Sequence, residues 1–232
     1  MFFASPSLLA IPALLAVSYA APAPLSLNPR QVLRGQATFY TGNVQGGTCS
    51  FSTYTIPSNL YGTALSSSNW DNAAHCGQCI SVTGPKGNSI RAMIVDQCPG
   101  CGTNHLDLFP NAFAALDNPT VGIINVDWTY LPSCSISSPL YLHNKVGASE
   151  YYFSMQIVNA NKAVVRLDVS KDEGKTWIGT TRQSYNFFEN GGLGQITGTV
   201  DIKVTSTNGK EIVVGGVNAG ASGAQFKASK NF

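Results

Sequence analysis

Two carboxylates draw attention because so few ionisable groups surround them. Up to residue 138 the chain has only five acidic side chains. Asp96 ends the apolar run Ile90-Arg-Ala-Met-Ile-Val95, immediately before Gln97-Cys98. Asp107 sits in His105-Leu-Asp-Leu108, ahead of Pro110-Asn-Ala-Phe-Ala-Ala-Leu116. A carboxylate at a strand end or in an apolar cleft can serve as a general acid toward a glycosidic oxygen. Each also has a structural reading. Asp107 has the place of an N-terminal helix cap, and Asp96 that of an acceptor holding a cystine loop. His75 and His105 read as surface or structural residues. No His and carboxylate cluster has metal-ligand spacing, so neither a metal nor a cofactor is expected.

Exposed aromatic rings stack on the flat C–H faces of sugars. Tyr151-Tyr152 opens a strand-like segment, and Tyr185 lies in Ser184-Tyr-Asn-Phe-Phe188. Adjacent residues of a regular strand face opposite sides, so both tyrosines reach one surface only where the strand start is irregular. Tyr152 shares a polar face with Ser154 and Gln156. The alternative fate of these tyrosines is core or strand edge. Trp177 has apolar neighbours and reads as core. Trp70, between Asn69 and Asp71, reads as exposed and able to extend an aromatic surface.

The cysteines are Cys49, Cys76, Cys79, Cys98, Cys101 and Cys134. Cys76-Gly-Gln-Cys79 and Cys98-Pro-Gly-Cys101 have the spacing of a zinc ribbon. The N-terminus argues for disulfides instead. Residues 2–20 are apolar, contain Pro6 and Pro12, and end in Ser18-Tyr-Ala20, the pattern of a signal peptide cleaved after Ala20. Its two prolines oppose a membrane anchor. A secreted chain with an even cysteine count forms disulfides, and spacing alone does not choose among the pairings.

Short strands with turn signals must position these groups. Ile80–Val82, Ile90–Val95 and Val121–Trp128 read as strands, and Pro110–Leu116 as a helix with proline in its first turn. Beyond residue 139 the alternation is clearer. Val164–Val169 and Val200–Val204 read as half-buried strands, with turns at Asp172-Glu-Gly174 and Asn208-Gly209. All cysteines precede residue 139, and the charge divides as well: 4 basic and 5 acidic residues to 138, 10 and 7 after it. The organisation expected is a signal peptide (1–20), a Pro-rich spacer (21–34), a cystine-bearing barrel (35–134) and an antiparallel sandwich (139–232). Only 11% of the residues are charged, about half the usual share. That excludes a nucleic-acid binder and suits a neutral, hydroxylated partner. No later segment is long and apolar enough to span a membrane.

Gly35-Gln-Ala-Thr-Phe-Tyr40, Ala74-His-Cys-Gly-Gln-Cys79, Val95-Asp-Gln-Cys98 and His105-Leu-Asp-Leu-Phe-Pro-Asn-Ala-Phe113, in this order, resemble the first domain of expansins, secreted proteins that loosen plant cell walls. The second half is similar to the expansin carbohydrate-binding domain, and the whole is closest in kind to fungal and bacterial expansin-like proteins and loosenins. The resemblance implies an all-β protein: a six-stranded double-psi β-barrel followed by an immunoglobulin-like β-sandwich. It implies the disulfides Cys49–Cys76, Cys79–Cys134 and Cys98–Cys101. It places Thr38 and Asp96 beside the acid Asp107, and Tyr40 in the same groove. It puts Tyr151, Tyr152 and Tyr185 on an aromatic platform with Lys145 beside it. Close bacterial relatives typically have Trp at the first two positions.

The barrel also resembles that of glycoside hydrolase family 45. Inverting hydrolysis needs an acid and a base. Asp107 matches the acid, but the base position falls in Thr38-Phe-Tyr-Thr-Gly-Asn43, which has no carboxylate. The expectation is therefore a monomeric, secreted protein that binds cellulose or a related glucan and loosens it without hydrolysis. Xylan, pectin or chitin are further candidate polymers, the basic second half favouring acidic pectin. The alternatives are an endoglucanase or lytic enzyme with an unconventional base, and a non-catalytic chitin- or glucan-binding wall protein.

Overall fold

A computed structural model describes Met1, residues 31–42 and residues 44–232. The expected signal peptide and most of the expected spacer lie outside the described residues. Six strands, β1 (Leu33–Phe39), β2 (Tyr61–Ser66), β3 (Cys79–Thr83), β4 (Ser89–Cys98), β5 (Leu106–Leu108) and β6 (Ile124–Tyr130), form a closed barrel. Their order around it is β1-β5-β2-β4-β3-β6. The first strand starts earlier than the sequence boundary at residue 35. Leu33 and Arg34 already pair with Trp128 and Asp127 of β6, so the end of the expected spacer belongs to the barrel.

Alternating apolar side chains fill the barrel, among them Leu65, Ile80, Met93, Leu106 and Trp128, all fully buried. The helix α1 (Pro110–Leu116) spans the residues its pattern predicted. Pro110 occupies the first turn, where its missing N–H costs nothing. Ala112, Phe113 and Leu116 form its buried face. Its N-cap is Phe109, with no side-chain cap. Asp107 is therefore a strand residue and not a cap.

The six cysteines form Cys49–Cys76, Cys79–Cys134 and Cys98–Cys101, with no thiol left free to bind zinc.

The second half has nine strands: β7 (Tyr141–Asn144), β8 (Ser154–Val158), β9 (Val164–Ser170), β10 (Ile178–Gly179), β11 (Thr181–Arg182), β12 (Phe188–Glu189), β13 (Val200–Ser206), β14 (Glu211–Val217) and β15 (Gln225–Lys227). They build a five-stranded sheet, β11-β12-β8-β7-β15, and a four-stranded sheet, β10-β9-β13-β14. Leu142, Met155 and Phe188 of the first sheet share one core with Leu167, Val169, Ile202 and Val204 of the second. Among the described residues no helix is long and apolar enough to cross a membrane.

One face of β8 meets the barrel. Val158 joins the barrel core. Gln156 Nε2 and Asn186 Nδ2 both donate to Cys49 O, at 2.7 and 3.2 Å. The polar face of this sheet is thus partly covered by the barrel, not fully wet. The partly exposed Arg182 adds a clamp. Its guanidinium is buried, which lowers its pKa to about 10. It donates to Asn186 Oδ1, Val164 O and Ala73 O, and lies over the Phe188 ring at 4.4 Å.

Candidate functional site: a polar row on the barrel and a tyrosine platform

Four residues stand side by side across four neighbouring strands. Thr38 of β1 pairs with Asp107 of β5, Asp107 with Ala64 of β2, and Ala64 with Asp96 of β4. Directly paired residues present their side chains on the same face, so the row brings both carboxylates and the threonine together with only an alanine methyl between the acids. An irregularity in β4 makes this possible. Thr63 pairs with Ile94 but the next residue, Ala64, pairs with Asp96, leaving Val95 as the extra residue of a bulge. Without it Val95 would face Ala64 and Asp96 would point the other way.

Asp107 Oδ1 accepts from Thr38 Oγ1 at 2.6 Å, and His105 Nε2 lies 3.0 Å from the same hydroxyl. His105 therefore belongs to the site, which its sequence reading as a surface or structural residue did not anticipate. Asp96 is held by three donors. Thr48 N and Gln97 N reach Oδ1 at 2.6 and 2.8 Å, and Tyr40 OH reaches Oδ2 at 3.0 Å. Gly47 lets the loop come this close: a Cβ there would stand 2.4 Å from Val95 O and 3.2 Å from Asp96 Cβ. Burial, then the charge and hydrogen bond of Asp96 and the charge of Asp107, push the Tyr40 phenol far above its ordinary value. Tyr40 thus stays a donor. Its ring meets Phe109 edge-on at 5.8 Å. Phe109 also lines an open groove with Val44, Tyr54, Ile56, Pro57 and Tyr61.

The second cluster lies at the uncovered end of the β8 face. Ser149 and Tyr152 close a tight turn through two backbone hydrogen bonds of 3.1 Å. Tyr151 sits in that turn and is 70% exposed, and Tyr152 is 39% exposed. The irregular strand start demanded by two adjacent exposed tyrosines is therefore present. Tyr185 is half-buried. Lys145 Nζ lies 4.4 Å from the Tyr185 ring centroid and 5.8 Å from that of Tyr152.

Glu189 ties this cluster together and was not singled out from sequence. It pairs with Ser154 across β12 and β8. Its Oε1 accepts from Ser154 Oγ at 2.7 Å, Tyr152 OH at 2.8 Å and Tyr185 OH at 2.9 Å, with Lys145 Nζ at 3.6 Å. Burial alone would raise the Glu189 pKa, but these hydroxyl donors and Lys145 outweigh it and hold it below the usual range. The one sequence signal was its place at the end of the aromatic run Tyr185-Asn-Phe-Phe-Glu189.

Trp70 departs from expectation. It is only 5% exposed, and Nε1 donates to Ser184 O at 3.2 Å, so it offers no free ring face. Trp70, Asn72 and Ala73 meet the other half at the junction. Asp71, Asn72 and Ala73 all have positive φ (43°, 49° and 63°), a costly backbone for residues other than glycine. Contacts to the other half offset it: Asn72 Nδ2 donates to Arg182 O at 2.9 Å and Arg182 donates to Ala73 O at 3.3 Å. The segment 66–72 thus bridges both clusters. Ser67 accepts from Gln97, next to Asp96, at 3.0 Å, while Trp70 holds Ser184, next to Tyr185.

A family profile described as lytic transglycolase matches residues 62–128, which contain Asp96 and Asp107. Expansin-YoaJ of Bacillus subtilis (strain 168) is 31% identical over 182 residues, covering 77% of this chain and 75% of its own. Expansin-like protein 1 of Dictyostelium discoideum is 26% identical over 186 residues, 77% of this chain. The matched region is 64% of that relative's length. The crystal structure of apo Clavibacter michiganensis expansin superposes with a TM-score of 0.76 at 30% identity, covering 87% of this chain and 98% of that one. A mutant of that protein has been solved in complex with cellohexaose with the same coverage and TM-score. The chain belongs to the expansin family.

Proposed function

We propose that this chain is a secreted wall-loosening protein that binds cellulose or a related glucan and separates polymer chains without cutting them. In this reading residues 35–134 are a double-psi β-barrel and residues 139–232 an immunoglobulin-like carbohydrate-binding domain. The glucan lies on Tyr151, Tyr152 and Tyr185 beside Lys145, and reaches the barrel at Thr38, Tyr40, Asp96 and Asp107. Kinship with a protein solved in complex with cellohexaose supports the choice of polymer class.

The observation that carries the non-hydrolytic reading is the state of Asp96. Inverting hydrolysis needs a carboxylate free to take a proton from water opposite the acid. Asp96 already accepts from Thr48 N, Gln97 N and Tyr40 OH. Asp107 then has an acid's position with no free base across the row. What remains is a set of polar groups that compete for sugar hydroxyls and so loosen contacts between polymer chains. The experiment pairs filter-paper weakening with a reducing-end assay. Weakening without new reducing ends is the expected result, and steady release of soluble oligosaccharide overturns it.

The lytic-transglycolase profile over the barrel favours a second reading, a lytic enzyme acting through Asp107. Such an enzyme can close the cut end as an intramolecular anhydride and leave no reducing end, so release of soluble oligosaccharide, with or without new reducing ends, decides between the two.

A further inference from the structure

Lys145 is the cation of the platform, and the half that contains it has 10 basic and 7 acidic residues. On charge alone this surface would draw uronate-bearing polymers. The local geometry opposes that. Glu189 Oε1 stands 3.6 Å from Lys145 Nζ, with the two side chains 17% and 34% exposed. At that depth solvent screening is partial and the pair nearly cancels as seen by a ligand. The carboxylate is fixed there by Ser154, Tyr152 and Tyr185, so it cannot swing aside for an incoming anion. The nearest other carboxylate in sequence, Glu150, precedes Tyr151 and accepts from Gln195 Nε2 at 3.1 Å. It too disfavours an anion.

We propose that Glu189 is the specificity-determining residue of the platform: it cancels Lys145 and makes the tyrosine surface take neutral glucan and reject polyuronate. The proposal rests on the reading of the platform as a glucan site. Tyrosine rings bring phenolic hydroxyls that need partners when half-buried, and Glu189 meets that need and sets the charge at once.

The test measures retention on cellulose and on cross-linked polygalacturonate for the full chain, at low and high salt. Glu189→Gln keeps an acceptor oxygen for the hydroxyls but removes the charge. Polygalacturonate retention should rise about two- to fivefold at low salt, the span that a partly exposed ion pair supports, and the gain should vanish at high salt. Cellulose retention of the same variant is the reference, and the ratio of polygalacturonate to cellulose retention is the readout. Glu189→Gln combined with Lys145→Met should show no gain. An unchanged polygalacturonate retention in Glu189→Gln overturns the proposal, as does a gain that survives loss of Lys145. Failure of the underlying glucan reading looks different: the wild type would not be retained on cellulose, and Tyr152→Ala would change nothing.

Discussion

Thr38 donates its hydroxyl hydrogen to Asp107 Oδ1 at 2.6 Å, from the residue directly in register on the neighbouring parallel strand. The parallel pairing of β1 with β5 in the barrel fixes this contact. Asp107 is thereby aimed at the row it shares with Ala64 and Asp96. Asp107→Asn should abolish filter-paper weakening while leaving the thermal transition intact. Thr38→Val, close in shape, should weaken the effect about fivefold, the equivalent of one ordinary hydrogen bond of about 1 kcal/mol. Full activity in Asp107→Asn would remove that residue from the mechanism.

Among the described residues Tyr40 supplies the one side-chain hydrogen bond to Asp96. Tyr40→Phe should cost about 1–2 kcal/mol in urea unfolding, as expected for a half-buried hydrogen bond lost with its acceptor left behind. Reducing ends should stay at background in this variant. Thr48 N and Gln97 N still hold Asp96 in this variant, so the appearance of reducing ends would show that the Tyr40 hydroxyl alone keeps Asp96 from acting as a base.

His75 is buried, stacked on Tyr130 at 4.5 Å, with Nδ1 2.8 Å from Gln78 Oε1. Burial lowers its pKa from 6.5, helped by Arg182 and opposed by the Gln78 hydrogen bond and Asp71. A depressed folded value means that, below pH 6.5, the unfolded chain binds a proton which the fold refuses. Stability therefore falls as pH drops through that window and is unaffected above it. Urea midpoints of wild type and His75→Gln, compared at about pH 7.5 and about pH 5, should show a smaller acid loss in the variant. His143, also lowered by burial, keeps part of the loss in both. Equal losses would show that His75 does not carry the effect.

The Cys79–Cys134 bridge closes a separation of 55 residues, whereas Cys98–Cys101 closes only 3. Loop-closure entropy assigns about 4 kcal/mol to the first bridge. Replacing Cys79 and Cys134 together by Ala should lower the unfolding free energy by about that amount, and the Cys98 and Cys101 pair by clearly less. Equal costs would place the stabilisation elsewhere than in chain entropy.

How far the sequence reveals the molecule depends on element length. Val164–Val169 alternates over enough residues to define β9, and Pro110 marks the start of α1. The barrel row is different. β5 has three residues, too few for a period to register, and the Val95 bulge reverses the phase on which side-chain direction depends. Asp96 and Asp107 could thus be picked out by chemistry, but not placed beside each other by pattern. Glu189 lies in a two-residue strand and has no periodic signal at all. Trp70 misleads for another reason. Its polar neighbours Asn69 and Asp71 resemble a wet loop, yet Asn69 bonds to Asn104 within the barrel, and Trp70 and Asn72 bond across the junction. The disulfide pairing and the aromatic positions were legible through family resemblance, since spacing left the pairings open.

The bridging segment 66–72 fastens the tyrosine platform to the barrel row through Trp70–Ser184 and Gln97–Ser67. If both proposed sites bind glucan, their fixed separation acts as a ruler. A ligand gains from both only when its own repeat spans the gap without bending, because the second engagement is then intramolecular and costs little further entropy. Straight, stiff chains satisfy that condition, and coiled or branched ones do not. Selection by persistence length, added to the charge selection proposed for Glu189, is what this joint would confer on the proposed glucan site.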